Sequence, residues 1–186
     1  MFKLLSKLLL ASIGLVSTLA DKLLGLNKRD VSTVENIDLT RYAGRWYEIA
    51  RLPNFFEKAD MRDITADYEL LPSGEVSVHN SSRRGDGRET EVFGVARVTD
   101  ESNAKLKVAF APKFLRVLPF VWGDYWILSI DSQYQWALVG EPGRKFFWIL
   151  SRQPFMPEDQ YEALCEKALE KGFDISKLIR PEQSDG

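Results

Sequence analysis

Ile64-Thr65-Ala66-Asp67-Tyr68-Glu69-Leu70 alternates apolar and polar side chains without a break. Successive side chains of a strand point to opposite faces. The stretch therefore reads as a half-buried strand, with Ile64, Ala66, Tyr68 and Leu70 on its apolar face and Thr65, Asp67 and Glu69 on the other. The same period of two extends in both directions. Upstream, Arg45 to Leu52 forms a first strand. Downstream, Pro72-Ser73-Gly74 makes a turn, and Val76, Val78 and Asn80 share one face of strand three. After a turn at Gly85-Asp86-Gly87, Val92, Gly94, Ala96 and Val98 alternate with Phe93, Val95 and Arg97. Leu106, Val108 and Phe110 mark strand five. Residues 111–123 are irregular and contain Pro112 and Pro119. Strands six to eight are Tyr125 to Ile130, Trp136 to Gly140 and Phe146 to Ser151, the last hairpin turning at Glu141-Pro142-Gly143. Both faces of these three strands are apolar, so their inward parity stays open.

One helix follows the strands. Pro157 suits its first position, and Glu158 and Asp159 complement its positive end. Tyr161, Leu164, Cys165, Ala168 and Leu169 form one apolar stripe, and Gly172 ends the helix. Eight short strands joined by tight turns leave two raw edges unless the sheet closes. The expected fold is all-β: a closed eight-stranded antiparallel up-and-down barrel with one C-terminal amphipathic α-helix packed outside. Such a barrel is wide enough for one small ligand. An outer-membrane barrel would need a lipid-facing apolar band on every strand, whereas Asp67, Glu69 and Arg97 lie on the outer faces here.

Composition narrows the function classes. The chain has 186 residues, 45% of them hydrophobic and 12% aromatic, with a formal net charge of −2. That balance does not attract a polyanion, so nucleic acid is not expected as a partner. One Cys and one His preclude a disulfide framework and a Cys/His zinc centre, and no cofactor is expected. Residues 1–20 read as a signal peptide or N-terminal anchor: Lys3 and Lys7 precede an uncharged run from Leu8 to Ala20, and Thr18-Leu19-Ala20 offers a small-residue cleavage site. Leu23, Leu24 and Leu26 prolong the apolar character, which keeps the anchor reading open. Residues 21–35 read as a linker and 181–186 as a polar tail.

Three segments resemble the lipocalin family. Gly44-Arg45-Trp46-Tyr47 resembles the glycine-x-tryptophan motif that opens the first lipocalin strand. Asp131-Ser132-Gln133-Tyr134-Gln135-Trp136-Ala137 resembles the second motif, and Arg152 after Trp148-Ile149-Leu150-Ser151 the third. The wider stretch Arg45 to Pro53 is most similar to bacterial outer-membrane lipocalins and to apolipoprotein D. The resemblance covers about residues 36–180. It implies a calyx for a small hydrophobic ligand, in the bacterial branch a fatty acid, lysophospholipid or other phospholipid derivative used in envelope maintenance. It also implies export to the periplasm or the periplasmic face of the outer membrane. The chain departs from that branch in having no Cys after the apolar run, its one Cys being Cys165.

The candidate ligand-binding residues follow from parity: Ala50, Ile64, Ala66, Tyr68, Val78, Gly94, Ala96, Val108 and Phe110. Phe55 and Phe56, in the loop after strand one, either line the mouth or pack that loop. Glu48 shares parity with Trp46 and points inward, to meet a ligand head group or to pair with an Arg. Trp46 and Arg152 are expected to stack at the closed end beside Gly44, and Asp131 and Tyr134 to fix the turn between strands six and seven. His79 should face solvent, and Cys165 should be a buried core residue. The apolar loop 114–122 serves as part of the mouth, a homodimer contact or a membrane-touching surface, unless it folds onto its own barrel. A lipid-modifying enzyme on this scaffold would need an acid–base pair or nucleophile in the cavity, and His79 and Cys165 are both expected outside it.

Overall fold

In the computed structural model, residues 31–184 are described, and the predicted alternation becomes one continuous ladder. The strands are β1 (Gly44–Arg51), β2 (Arg62–Leu70), β3 (Val76–Arg83), β4 (Glu89–Val98), β5 (Lys105–Ala109), β6 (Gly123–Ile130), β7 (Trp136–Gly140) and β8 (Phe147–Ser151). Each pairs antiparallel with its neighbour in sequence, and β8 returns to β1 to close the barrel. The segments expected to target the chain, residues 1–20, and most of the expected linker lie outside the described residues.

Three short irregularities break the strict period, one of them in the β6–β7 ladder between Ile127 and Ser129. Between Glu48 and Ala50 the β1–β8 register shifts, Glu48 pairing with Leu150 and Ala50 with Ile149. A bulge inserts one extra residue and turns the following side chains over. Glu48 therefore faces the interior while Ala50 joins the outer layer. A second shift interrupts the β2–β3 ladder between Arg62 and Thr65, where Asp63 takes a positive φ of 52°.

The strand faces feed two apolar cores. Trp46, Val78, Ala96, Leu106, Ile127, Val139 and Leu150 belong to the one inside the barrel. The other joins Ile49, Ala50, Leu128, Leu138, Phe147 and Ile149 to Leu164, Cys165, Ala168 and Phe173 of the helical segment. The helix α2 (Glu158–Glu170) thus covers β1 and β6–β8, which is why those strands are apolar on both faces. Pro157 occupies its N-cap rather than its first position. Gly172, at φ +84°, ends it, and the N–H groups of Gly172 and Phe173 donate to the carbonyls of Leu169 and Ala168. Cys165 is buried, as expected.

The flanking segments are part of the fold. Val31 is buried in the outer core, and the Val34 N–H donates to the Ile127 carbonyl. A short helix, α1 (Leu39–Tyr42), is capped by Asp38, whose side chain accepts from the N–H groups of Thr40 and Arg41. At the other terminus, Arg51 and Ile179 exchange backbone hydrogen bonds. Gln183 Nε2 donates to the carbonyls of Glu48 and Ile64, where β1 and β2 no longer pair, and Ser184 bonds Asp63 Oδ1. The tail therefore satisfies backbone groups that the splayed strands leave open.

Candidate functional site: the barrel cavity

One end of the barrel is shut by its own side chains. Trp46 is fully buried, its Nε1 donating to the Tyr42 carbonyl at 2.9 Å. The Arg152 guanidinium lies 3.8 Å from the Trp46 ring centroid and donates to the carbonyls of Arg41, Ala43, Arg45 and Tyr134. Gly44 has φ +93°, and a Cβ there would lie 3.4 Å from Arg152 Nη1, so a glycine suits both the backbone and the approach of the cation. Asp131 Oδ2 accepts from the N–H groups of Gln133 and Gln135. Tyr134 reaches further, its hydroxyl accepting from the Asp38 N–H while the Arg41 guanidinium lies over its ring.

Above this plug is a cavity of about 120 Å³. Ile64, Ala66, Tyr68, Val78, Ala96, Val108, Phe110 and Glu48 border it from the faces that parity assigns inward, and Phe56 borders it from the loop after β1. Its floor holds a feature that periodicity does not reveal. Tyr42, Tyr68 and Tyr125 share hydroxyl contacts, 2.7 Å between Tyr42 and Tyr125 and 2.9 Å between Tyr68 and Tyr125. Burial pushes the Tyr68 hydroxyl up to about 12, and the charges of Glu57 and Glu48 add to that rise.

Four expectations need correction. Ala50 does not border the cavity, because the bulge after Glu48 turns it toward α2. Gly94 pairs with inward-facing Val78, but the Phe110 ring covers it: a Cβ there would lie 2.7 Å from Phe110 Cδ1. Phe55 points away from the barrel, 88% exposed, with its ring edge-on to Phe56. Thr65, read as outward, is buried beside the β2 bulge and borders the cavity, its hydroxyl bonded to that of Ser81. His79 lies outside, stacked on Phe93 and hydrogen-bonded to Glu91.

The charged part of the wall is acidic. Glu48 is 3% exposed and Arg51 fully buried. Arg51 Nη1 donates to Glu48 Oε1 at 2.7 Å, Nη2 donates to the Lys58 carbonyl at 2.6 Å, and Nε lies 3.7 Å from Glu57 Oε2. Trp148 Nε1 donates to the same Glu57 oxygen. Asn54 Oδ1 accepts from the N–H groups of Phe56 and Glu57, which folds the loop so that Glu57 turns inward. Sequence parity reaches Glu48; the contributions of Arg51 and Glu57 depend on the bulge and on this turn.

Burial pushes the Glu48 carboxyl up to about 8; the Glu57 charge adds to the rise and Arg51 opposes it. The folded chain therefore keeps a proton that the unfolded chain releases near pH 4.5. The associated stability is complete below that pH and is lost as pH rises through 8. At ~1.4 kcal/mol per pH unit, the gross effect approaches ~5 kcal/mol. Thermal melts from pH 5 to 9 should show the parent losing more stability than Glu48→Gln. Parallel curves would contradict the buried acid.

Comparison with known proteins agrees with this geometry. The family described as "Lipocalin-like domain" matches residues 37–183. Temperature-induced lipocalin-1 of Arabidopsis thaliana is 45% identical over 161 residues, 85% of this chain and 86% of the plant protein. The outer membrane lipoprotein Blc of Escherichia coli is 36% identical, covering 83% of this chain and 84% of Blc. Mouse apolipoprotein D is 35% identical over 81% of this chain and 79% of its own. Among solved structures, insecticyanin from the tobacco hornworm superposes with a TM-score of 0.65 at 23% identity, covering 84% of this chain and 86% of its own. With the closed eight-strand ladder and the Arg152–Trp46 plug, these matches establish that the chain belongs to the lipocalin family.

Proposed function

We propose that the protein is a carrier that takes up a single long-chain lipid, such as a fatty acid or a lysophospholipid, in the barrel cavity. The observation that carries this reading is the wall between the Tyr floor and the mouth, which is built from Ile64, Ala66, Val76, Val78, Ala96, Leu106 and Val108. Burial of an acyl chain contributes about 0.8 kcal/mol per methylene before the cost of association is subtracted. Ala66→Trp or Ala96→Trp would fill that space. Each variant should fold and should lose most of its affinity for a fluorescent fatty acid, whereas Glu69→Trp, at an exposed outward position, should bind like the parent. Unchanged binding in both cavity variants would remove the barrel as the binding site. The reading assigns no enzymatic activity.

The mouth supports loading from a membrane. Phe55, Phe114, Val117 and Phe120 are exposed, and Lys58 and Lys113 are exposed on the same two loops. An apolar rim with flanking cations suits a lipid surface. Part of loop 114–122 folds back, with Arg97 over the Trp122 ring and Trp122 Nε1 donating to the Arg116 carbonyl, so the exposed tips are the contact surface. A homodimer joined through those tips is the competing use, and sedimentation with and without vesicles separates the two. The apolar run of residues 1–20 and the likeness to an outer membrane lipoprotein support export to the bacterial periplasm. Fractionation of cells should recover the protein there and not in the cytoplasm.

A further inference from the structure

Three phenols meet on the cavity floor from three separate elements. Tyr42 ends α1, Tyr68 lies on β2 and Tyr125 on β6, and all three border the cavity. The Tyr42 ring stacks on Tyr68 at 5.6 Å between centroids and lies 5.1 Å from the Trp46 ring, so the plug holds the group in place. Each phenol has one proton to donate. The Tyr42–Tyr125 and Tyr68–Tyr125 contacts use two of the three protons, whichever way each bond points. Among the described residues no other group is hydrogen-bonded to these hydroxyls. The two carboxyls of the same cavity are turned elsewhere, Glu48 to Arg51 and Glu57 to Asn54 and Trp148. One O–H donor is therefore left over, in a part of the cavity otherwise built from Val76, Val78, Ala96 and Leu106. Burial pushes all three hydroxyls up, so the group keeps its protons.

A lipid with an ionised head keeps that head at the mouth, because a charge moved among apolar side chains loses its hydration. Its tail then reaches the floor. A methyl end packed there shuts the spare donor away from water with no acceptor, and an unmade hydrogen bond at a buried site is costly. A hydroxyl or carbonyl oxygen near the end of the tail accepts that proton and supplies the missing bond. We infer that Tyr42, Tyr68 and Tyr125 form a subsite for a neutral oxygen at the tail end of the ligand, so that the cavity takes hydroxy or keto lipids oxygenated far from their head group. The inference rests on the carrier reading and deepens it.

The test compares dodecanoate, tetradecanoate and hexadecanoate with their ω-hydroxy counterparts as competitors of a fluorescent fatty acid. The range of lengths brings the terminal hydroxyl to the floor in one member of the series. A hydroxyl buried without a partner weakens binding by about thirtyfold or more. In the parent, the best ω-hydroxy acid should lie closer than that to the plain acid of its length. A deficit beyond about thirtyfold at every length overturns the inference without any variant having to fold. Changing one tyrosine leaves at least one proton over, so Tyr42→Phe, Tyr68→Phe and Tyr125→Phe are combined. The rings stay, and no hydroxyl loses a partner, since these groups bond only one another. In this triple variant the ω-hydroxy acid should weaken about tenfold relative to the plain acid. A ratio equal to the parent's overturns the inference, because the oxygen then sits away from the phenols. If neither series competes in the parent, the carrier reading falls as well, which distinguishes that failure from a failure of the floor subsite.

Discussion

Arg51→Met should destabilise the barrel by about 3–5 kcal/mol, a large fraction of the stability of a domain this size. The guanidinium is fully buried and is paired with both Glu48 and Glu57, the one cation among the described residues that is. Removing it leaves two carboxyls in a water-poor wall and frees the Lys58 carbonyl that Arg51 Nη2 holds. The loop after β1 is tied to the strand through that same contact, so the loss should also loosen the mouth. Urea unfolding measures the effect. Adding Glu48→Gln and Glu57→Gln should recover much of the loss, because uncharged amides no longer need the cation. A single Arg51→Met variant as stable as the parent would show that the network is solvated and not buried.

Trp46→Ala is the second large effect, with an expected cost of about 3–5 kcal/mol for deleting a fully buried indole. The ring also carries the Arg152 guanidinium, a contact of about 0.5–2 kcal/mol. Arg152→Ala should cost less than Trp46→Ala, because several carbonyls that Arg152 binds lie near the surface and can turn to water. The double variant should lose less than the two single losses combined, since the residues share one contact. Thermal melts of the three variants check this. Unchanged midpoints in both single variants would mean that the plug does not hold the closed end together.

Much of this was written in local pattern. The alternation from Ile64 to Leu70 and from Val92 to Val98 places β2 and β4 and sets Ile64, Ala66, Tyr68 and Ala96 against the cavity, because successive side chains of a strand take opposite sides; Thr65, beside the β2 bulge, departs from it. The helix is equally plain, since Leu164, Cys165 and Ala168 recur with its period and are the residues it buries. The glycine–tryptophan pair and Arg152 announced the closed end for a different reason: each has a chemistry that few other residues can supply at that spot.

Where the reading stopped, a long-range contact had decided. Strands β6 to β8 are apolar on both faces, and only the docking of α2 against Leu128, Leu138, Phe147 and Ile149 separates outside from inside. Ala50 follows Glu48 at the spacing of an inward residue, yet β8 imposes a bulge and turns it to the outer core. Glu57 is an ordinary acidic residue in a loop until Asn54 folds that loop and Trp148, ninety-one positions away, binds its carboxylate. Period and turn chemistry act over a few residues, so the sequence by itself determined the strands, the turns and the closed end. The acidic wall of the cavity and the two-sided packing of its last three strands arise from groups distant along the chain, which meet only when the barrel closes.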